Sequence, residues 1–478
     1  MLKHNPHVRR LLALGMGILL FLSIEILFRA LGIAAGSSYA PPRLIQVVED
    51  GQIQGELIQQ STPYFEPYNN NNQVQTASIY RQGQGDGFPA SGSMRQVRFD
   101  SVPSKPRYFL LGGSAALGQN PVNLKIDRTW KTVPLGKQVR ALDEPLSISG
   151  QTRLALAKKG QGAEVINAGM IAQDSGGVRR IALETLRYSP KALLLYMGNN
   201  EGIGLSFGMQ GEELPIVPEV RNILYELRSF RLLSDWIQPM RQRRAQQPPP
   251  LKGTKPEVLG RLTQTQWRAA GEALMNSEGP TDSVYQALLN RFERNLREIV
   301  KAAQTQDTQV VIIPTAPHLG YPPFYDANNP ALLESEIQNY TQLLGTAKQQ
   351  LSQKEWKTAE KTLRSALEID QTHATAWFWL AQSLDGQGRY PEMLKAAHQA
   401  LLLDISRKRS LPDYAKVAKT VCDELGCIAG DAMPSLEQKL RKEGLSVYDK
   451  LYGDHEHLTP EGCAWIGQLF ADQLSGTP

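Results

Sequence analysis

The sequence predicts an α/β domain in which a doubly wound parallel sheet is covered by helices. From residue 107 onward, short apolar runs bounded by turn residues alternate with amphipathic helical segments. The runs at 193–196 and 310–313 are apolar throughout, which is typical of strands buried on both faces of a parallel sheet. Strands that alternate with helices in this way indicate a doubly wound α/β domain.

Five strands and three helices carry this prediction. We expect the strands at 107–111, 163–167, 192–197, 309–314 and 427–431. The helices are expected at 176–187, 283–305 and 462–474, where apolar residues recur at helical spacing. A proline-rich stretch at 241–256 reads as an exposed loop in a long insertion after Glu201.

The composition indicates a globular protein of more than one domain. The chain has 478 residues, of which 41% are hydrophobic and 21% are charged. The formal net charge of +5 is small for this length, and no long basic run is present. We therefore expect no nucleic-acid partner.

The N-terminus predicts a membrane anchor. Basic residues within the first ten positions precede an apolar segment at 11–35, and a membrane-spanning helix needs roughly 20 apolar residues. The basic flank is expected in the cytoplasm, with the rest of the chain on the periplasmic side. A cleaved signal peptide is the alternative, but Pro41 and Pro42 follow the one small-x-small site. The predicted domains are thus a cytoplasmic stub and anchor at 1–36 and a loop-rich spacer at 37–106.

A repeat lies between the fourth and fifth predicted strands. Residues 338–371 align with 372–405, which pairs Trp356 with Tyr390 and Ala366 with Ala400. The second copy resembles the tetratricopeptide consensus, so we predict an inserted all-α module at 338–405. Two such helix pairs are too few to stand alone, so further cover from the α/β domain is expected. A helical hairpin with coincidental spacing is the alternative.

Three distant segments supply candidate chemistry. Ser114 follows the first strand in a turn of small residues, with Gly118 four positions later. Asn200 closely follows the third strand, and Asp454 and His457 lie three positions apart near the C-terminus. A hydroxyl nucleophile, an amide donor and an imidazole–carboxylate pair are what ester hydrolysis needs.

These segments together resemble the SGNH or GDSL hydrolase superfamily. The motifs at 112–118, 196–201 and 454–459 look like those of bacterial membrane-anchored members with tetratricopeptide repeats. The resemblance implies a flavodoxin-like three-layer sandwich at 107–337 and 406–478, with its active site at the carboxyl ends of the strands.

The resemblance also implies roles for individual residues. Ser114 matches the nucleophile, and His457 matches the base whose imidazole Asp454 orients. The N–H groups of Ser114 and Gly169 and the side-chain amide of Asn200 match the oxyanion hole.

The sequence departs from the family pattern at two positions beside these residues. Gly113 stands where the superfamily usually has Asp, and Glu201 stands where Asp is common. We expect the first change to weaken the match to the motif more than the mechanism.

Several alternatives stay open at this stage. His455 is a rival base because it adjoins Asp454, and His318 is a further residue that could line the pocket. Paired histidines at 455 and 457 can indicate a metal, but no third ligand cluster is evident, so we expect no metal and no cofactor. Cys422 and Cys427 are close enough to form a disulfide, or they are two separate thiols.

The function predicted from these residues is a membrane-anchored, extracytoplasmic serine esterase. Its expected substrates are O-acyl groups of envelope glycans or lipids. The alternatives are an O-acyltransferase acting on a polysaccharide and a non-catalytic envelope scaffold. We expect the repeat module to overhang the pocket and to bind a protein partner or recruit the substrate.

Overall fold

The computed structural model describes residues 17, 20, 22–27, 43–49, 52–59, 64–68, 73–76, 80–81, 97–121, 139–141, 144–170, 173–201, 282–327, 329–405 and 409–476. They belong to two compact units. One unit comprises 1–65, 77–85 and 211–260, and the other comprises 66–76, 86–210 and 261–478.

The strands in chain order are β1 (Arg43–Glu49), β2 (Gln52–Gln59), β3 (Phe65–Tyr68), β4 (Gln73–Thr76), β5 (Tyr80–Arg81), β6 (Arg98–Asp100), β7 (Arg107–Gly112), β8 (Gln119–Pro121), β9 (Val139–Ala141), β10 (Glu164–Asn167), β11 (Ala192–Tyr196), β12 (Gln309–Ile312) and β13 (Ile428–Ala429).

The helices are α1 (Ser114–Leu117), α2 (Ile148–Lys158), α3 (Ser175–Thr185), α4 (Asp282–Gln304), α5 (Glu334–Ser352), α6 (Trp356–Ile369), α7 (Ala374–Asp385), α8 (Tyr390–Leu403), α9 (Asp413–Leu425), α10 (Met433–Glu443), α11 (Val447–Leu451) and α12 (Pro460–Leu474).

The described part of the first unit holds helical residues 22–27 and one antiparallel sheet, in the order β1-β2-β5. Most of the predicted anchor at 11–35 lies outside the described residues. Within the described ranges, no helix combines the length and the apolar character needed to cross a membrane.

The second unit contains the predicted parallel sheet. Its order is β10-β7-β11-β12-β13, and every neighbouring pair runs parallel. All residues of β7 and β11 are buried, because helices cover both faces of the sheet. All five predicted strands are present, and β13 is the shortest, with two residues.

Helices flank this sheet in two groups. Helix α2 packs against α12, while α3 packs against α4 and α4 against α9. Numbered from β7 as the first, the strands follow the order 2-1-3-4-5, a doubly wound arrangement in which ligands bind outside the carboxyl ends. The strand order therefore places the ends of β7 and β11 at one shared edge.

Helices α5 to α8 form two packed hairpins, called here the helical module. Helix α8 begins 34 residues after α6 (390 − 356) and ends 34 residues after it (403 − 369). The predicted repeat is thus visible in the helix ends. The alanines that the alignment pairs are all buried: Ala347, Ala366, Ala381 and Ala400. Membership of the tetratricopeptide family stays a prediction.

The cysteines divide into one pair and one single thiol. Helix α9 ends at Leu425, and Gly426 takes a left-handed conformation (φ 78°) that turns the chain. This turn brings Cys427 to Cys422, and the two form a disulfide. Cys463 is a buried free cysteine on α12.

Candidate active site

Ser114 is placed at the carboxyl edge of the sheet by a one-turn helix. Strand β7 ends at Gly112, and Ser114 is the first residue of α1. Gly118 closes α1 in the left-handed conformation (φ 87°), where its N–H donates to the carbonyls of Ser114 and Ala115. The Ser-x-x-x-Gly spacing therefore marks the start and the end of a single helical turn.

Asp454 shapes the turn that presents His457. Its Oδ1 accepts hydrogen bonds from the backbone N–H groups of Glu456, at 2.9 Å, and His457, at 2.8 Å. Its Oδ2 lies 2.7 Å from His457 Nδ1. The three-residue spacing thus lets one carboxylate fold the backbone and orient the imidazole. Thr459 then caps α12 by accepting from the N–H of Gly462 at 3.1 Å.

One hydrogen bond joins the turn at 454–457 to Ser114 at the carboxyl edge of the sheet. His457 Nε2 lies 2.8 Å from Ser114 Oγ. An ionised carboxylate only accepts hydrogen bonds, so Nδ1 carries the proton and Nε2 of the neutral ring accepts from the Ser114 hydroxyl. Ser114, Asp454 and His457 are all buried. The structure therefore brings these three predicted residues into one hydroxyl–imidazole–carboxylate chain.

The charges of Asp454 and His457 shift each other's pKa. Burial lowers the pKa of His457, but the charge and hydrogen bond of Asp454, helped by the charge of Glu456, outweigh it and raise that pKa to about 9. Burial raises the pKa of Asp454, but His457, His455 and the hydrogen bonds to the carboxylate hold it well below its usual range. Asp454 is therefore ionised whenever the imidazole functions.

The Asn200 amide lies against Gly113, the residue before Ser114, because Gly113 has no side chain. A Cβ atom at Gly113 would lie 2.1 Å from Asn200 Nδ2, a distance at which one of the two must move. One N–H of this amide donates to the backbone oxygen of Gln173 at 2.9 Å. Gly113 thus leaves the room that the Asn200 amide occupies.

Gly169 is placed differently from its predicted role. Its N–H donates to Asn167 Oδ1 at 2.9 Å, and Asn167 Nδ2 donates in turn to the carbonyl of Ala116 at 3.0 Å. A Cβ atom at Gly169 would lie 2.5 Å from the backbone nitrogen of Leu117. Gly169 therefore allows the close approach of α1. The geometry does not favour its oxyanion role, because its N–H already has a partner.

Glu201 anchors the chain directly after Asn200. Its two oxygens accept from the backbone N–H of Ser175, at 2.6 Å, and from the Ser175 hydroxyl, at 2.9 Å. Arg291 on α4 lies 3.2 Å from the same carboxylate. Burial, with the nearby charge of Asp174, raises the pKa of Glu201 to about 7 against the opposing effect of Arg291. Arg291 and Ser175 were not identified from the sequence, because neither belongs to a motif.

His455, the rival base, is too far from Asp454 for the hydrogen bond that His457 makes. Its Nδ1 lies 3.9 Å from Asp454 Oδ1, beyond hydrogen-bond distance. Its ring packs against Phe324 and Tyr321, with centroids 5.0 Å and 5.6 Å away. The structure thus gives His457, and not His455, the place between Asp454 and Ser114.

Two polar residues beside His457 were not identified from the sequence. Glu456 Oε2 accepts from Asn199 Nδ2 at 2.6 Å, and Glu456 Oε1 lies 3.7 Å from His457 Nε2. Glu456 sits inside the motif between Asp454 and His457, which was the available signal. Asn199 precedes Asn200 and gave no signal of its own.

The segment after β12 lines one side of the Asp454–His457 turn. His318 is buried there and stacks on Tyr448, with ring centroids 4.4 Å apart. Tyr321 and Phe324, on the same segment, are the aromatic neighbours of His455. The candidate site is thus bordered by an aromatic surface that the apolar pattern did not predict.

The helical module holds this segment in place. Asp404, just after α8, accepts from the backbone N–H groups of Phe324, at 3.1 Å, and Tyr325, at 3.4 Å. Asp404 also pairs with Arg409 at 3.0 Å, and both side chains are 2% exposed. Arg409 donates to the carbonyl of Tyr321 at 2.7 Å. The module thus reaches the aromatic neighbours of His455 through a buried ion pair.

In the part of the chain that the structure describes, no group of three or more histidine, cysteine, aspartate or glutamate side chains is arranged to hold a metal. The rings of His455 and His457 are 6.3 Å apart and nearly perpendicular.

The chain matches no protein-family model. It also matches no curated protein sequence. Among solved structures it is similar to a catalytic mutant of an acetylxylan esterase from Geobacillus stearothermophilus, with 9% identity, a TM-score of 0.33, and 78% of this chain and 95% of that one covered.

Two other solved structures are similar at the same level. TesA shares 9% identity with a TM-score of 0.31, over 78% of this chain and 99% of that one. An alpha/beta hydrolase enzyme from the metagenome of Lake Arreo, Spain, shares 8% identity with a TM-score of 0.34, over 79% and 98%. Similarities this low carry no argument, so the functional argument rests on the geometry of the site.

Proposed function

We propose that this protein is a serine hydrolase that cleaves ester bonds. The observation that carries the proposal is the continuous hydrogen-bonded chain from Ser114 Oγ through His457 to Asp454, with distances of 2.8 Å and 2.7 Å. A serine hydroxyl becomes a useful nucleophile when an adjacent imidazole takes its proton and a carboxylate orients that imidazole.

The proposed reaction has two halves. Ser114 Oγ attacks the ester carbonyl while His457 Nε2 takes the hydroxyl proton, and His457 then gives this proton to the departing alcohol. Water next attacks the acyl group on Ser114 with His457 again as base, which releases the acid and restores the serine. Asp454 stays ionised and stabilises the imidazolium in both halves.

Two donors are proposed for the oxyanion. The N–H of Ser114 is in the first turn of α1, where helix N–H groups have no intrahelical partner. The Asn200 amide has a second N–H besides the one that donates to Gln173. Losing one such donor typically slows an acyl transfer by about 10²–10³.

Covalent labelling tests the proposal most directly. A fluorophosphonate probe should modify the full-length protein at Ser114, and mass spectrometry of its peptides should locate the adduct. Ser114→Ala should abolish labelling and the hydrolysis of p-nitrophenyl acetate while leaving the circular dichroism spectrum unchanged. Labelling of another residue, or activity retained in the variant, would refute the mechanism.

The proposal extends to substrate and location. We propose O-acyl groups of envelope glycans or lipids as substrates, and the segment at 11–35 as an anchor that leaves the site outside the cytoplasm. The Cys422–Cys427 disulfide supports an oxidising compartment. Protease added to cells with a permeabilised outer layer should degrade the domain, whereas full protection would contradict this topology.

Acyl transfer to a polysaccharide hydroxyl uses the same acyl-Ser114 and differs only in the acceptor. A non-catalytic scaffold is the weaker alternative, because the buried Ser114–His457–Asp454 chain has no structural necessity in a scaffold. A protein partner at the helical module would be compatible with each of these functions.

A further inference from the structure

The carboxylate of Glu456 is fixed beside the nitrogen that must handle the reacting proton. Its Oε2 accepts from Asn199 Nδ2 at 2.6 Å, and Asn199 is 2% exposed. Its Oε1 lies 3.5 Å from His455 Nε2 and 3.7 Å from His457 Nε2. One oxygen is therefore held by Asn199, while the other lies between the Nε2 atoms of His455 and His457.

The separation between Glu456 Oε1 and His457 Nε2 fits a bridging oxygen. At 3.7 Å the two atoms are too far apart for a direct hydrogen bond, and a contact of this length suits a single oxygen placed between them. The same Nε2 is 2.8 Å from Ser114 Oγ. An oxygen that contacts both Nε2 and Oε1 therefore lies next to any acyl group carried by Ser114.

We infer that Glu456 binds and orients the oxygen nucleophile that removes the acyl group from Ser114, with a preference for water and vicinal diols over simple alcohols. The inference rests on the proposed function. Glu456 is the acceptor for a hydrogen of this nucleophile, and His457 remains the base.

The nucleophile oxygen bonds to the acyl carbonyl carbon, and its proton moves to His457 Nε2. The bond between that carbon and Ser114 Oγ then breaks, and the proton on Nε2 passes to Ser114 Oγ. Water as nucleophile yields the carboxylic acid, and an alcohol yields a new ester.

The preference follows from counting hydrogens. The nucleophile gives one hydrogen to His457 Nε2, so Glu456 Oε1 needs a second one as its hydrogen-bond donor. Water supplies it from the same oxygen, and a vicinal diol supplies it from the neighbouring hydroxyl. A monohydric alcohol has none left, so Oε1 would gain no hydrogen bond from it and would keep only its longer contact with His455 Nε2.

Glu456→Gln isolates this function because it keeps the shape of the side chain. Asn199 Nδ2 is a donor and requires an oxygen, so the glutamine oxygen should face Asn199 and its NH₂ group should face His457. The substitution thereby replaces an acceptor with a donor at the proposed position. Glu461→Gln is the matched control, since Glu461 is exposed in the first turn of α12.

The test is stopped-flow hydrolysis of p-nitrophenyl acetate by the full chain, with ethanol or ethylene glycol as added acceptor. In Glu456→Gln we expect deacylation to slow roughly 10-fold or more, with acylation changed at most about threefold. A burst of nitrophenolate should then precede turnover. The unmodified protein should transfer acetyl more readily to ethylene glycol than to ethanol, and only Glu456→Gln should lose this preference.

Two results would overturn the inference alone. One is an acyl-Ser114 that Glu456→Gln hydrolyses as fast as the unmodified protein does. The other is an unchanged ratio of transfer to ethylene glycol over ethanol. If the unmodified protein forms no acyl-Ser114, the proposed function fails as well.

Discussion

Ser114 and His457 are 343 residues apart in the chain, and their side chains meet at 2.8 Å. The helical module is assembled differently, because its helices pack on their neighbours in the sequence. Some of its ion pairs are also local, such as the one between Arg364 and Glu360 within α6, and Arg364 is half exposed. At the site, by contrast, Ser114, Asp454 and His457 are buried, and the hydrogen bond from Ser114 joins two segments far apart in the sequence.

This contrast between solvated and buried polar groups indicates where substitutions should affect stability. Polar groups on the outer surface of the module are solvated, so their pairing contributes little to stability. Where the module meets the segment after β12, its charges are buried and their partners line the aromatic surface around His455. These contacts are those of a brace, and they weaken the expectation of a detachable recruiting arm.

The largest expected contrast is between the two histidines. His457→Ala should lower kcat/KM for p-nitrophenyl acetate about 10⁴-fold or more, because it removes the base. His455→Ala should lower kcat/KM less than about 10-fold, because His455 is not one of the hydrogen-bonded residues Ser114, His457 and Asp454. Steady-state kinetics on both variants decide between them, and a larger loss for His455→Ala would reverse the assignment.

The next contrast compares buried and exposed charges of the module. Asp404→Ala should lower the free energy of unfolding by about 3–5 kcal/mol, because it leaves Arg409 buried without its carboxylate. Arg364→Ala should change it by about 0.5 kcal/mol or less. Urea denaturation measures both. Equal losses of unfolding free energy in the two variants would mean that the contact with the segment after β12 stabilises the protein no more than a surface ion pair does.

Two glycines give a similar comparison. Gly113→Ala should lower kcat about 10²–10³-fold, because a Cβ atom there would displace the Asn200 amide. Gly345→Ala, at an exposed position on α5 with open space around it, should leave kcat unchanged and raise stability by about 0.5–1 kcal/mol. Full activity of Gly113→Ala would show that the Asn200 amide is not needed in its present position.

The smallest effect concerns pH. Protonated His457 cannot accept the serine proton, and its pKa is raised to about 9. For a neutral ester, kcat/KM should therefore increase as pH rises and reach half its maximum near pH 9. Glu456→Gln should move this midpoint to lower pH, because the charge of Glu456 helps to raise the pKa. A midpoint near the ordinary histidine value, about 6.5, would contradict the coupling to Asp454 and Glu456.

The same shift bears on stability, with the opposite sign. A histidine whose folded pKa is raised binds its proton more tightly in the folded state. Its stabilising contribution is therefore fully present below the unfolded pKa of about 6.5 and is lost as pH rises through about 9.

The sequence by itself determined the features that depend on local patterning. Short apolar runs predicted all five strands of the sheet. The runs at 193–196 and 310–313 are apolar throughout, because a strand buried on both faces has no polar side. The 34-residue spacing predicted the matching ends of α6 and α8. The spacing of Ser114 and Gly118 likewise reflects one turn of helix, which needs no distant partner.

Only the tertiary structure decided how side chains from separate segments are paired. The resemblance favoured His457 and left His455 as a rival, and the packed structure places the His457 ring between Asp454 and Ser114. The N–H of Gly169 was taken by the side chain of Asn167, and the carboxylate of Glu456 was directed at His457 by Asn199. Hydrogen bonds act over about 3 Å and depend on direction, so their partners are fixed only once the packed sheet has brought distant loops to one edge.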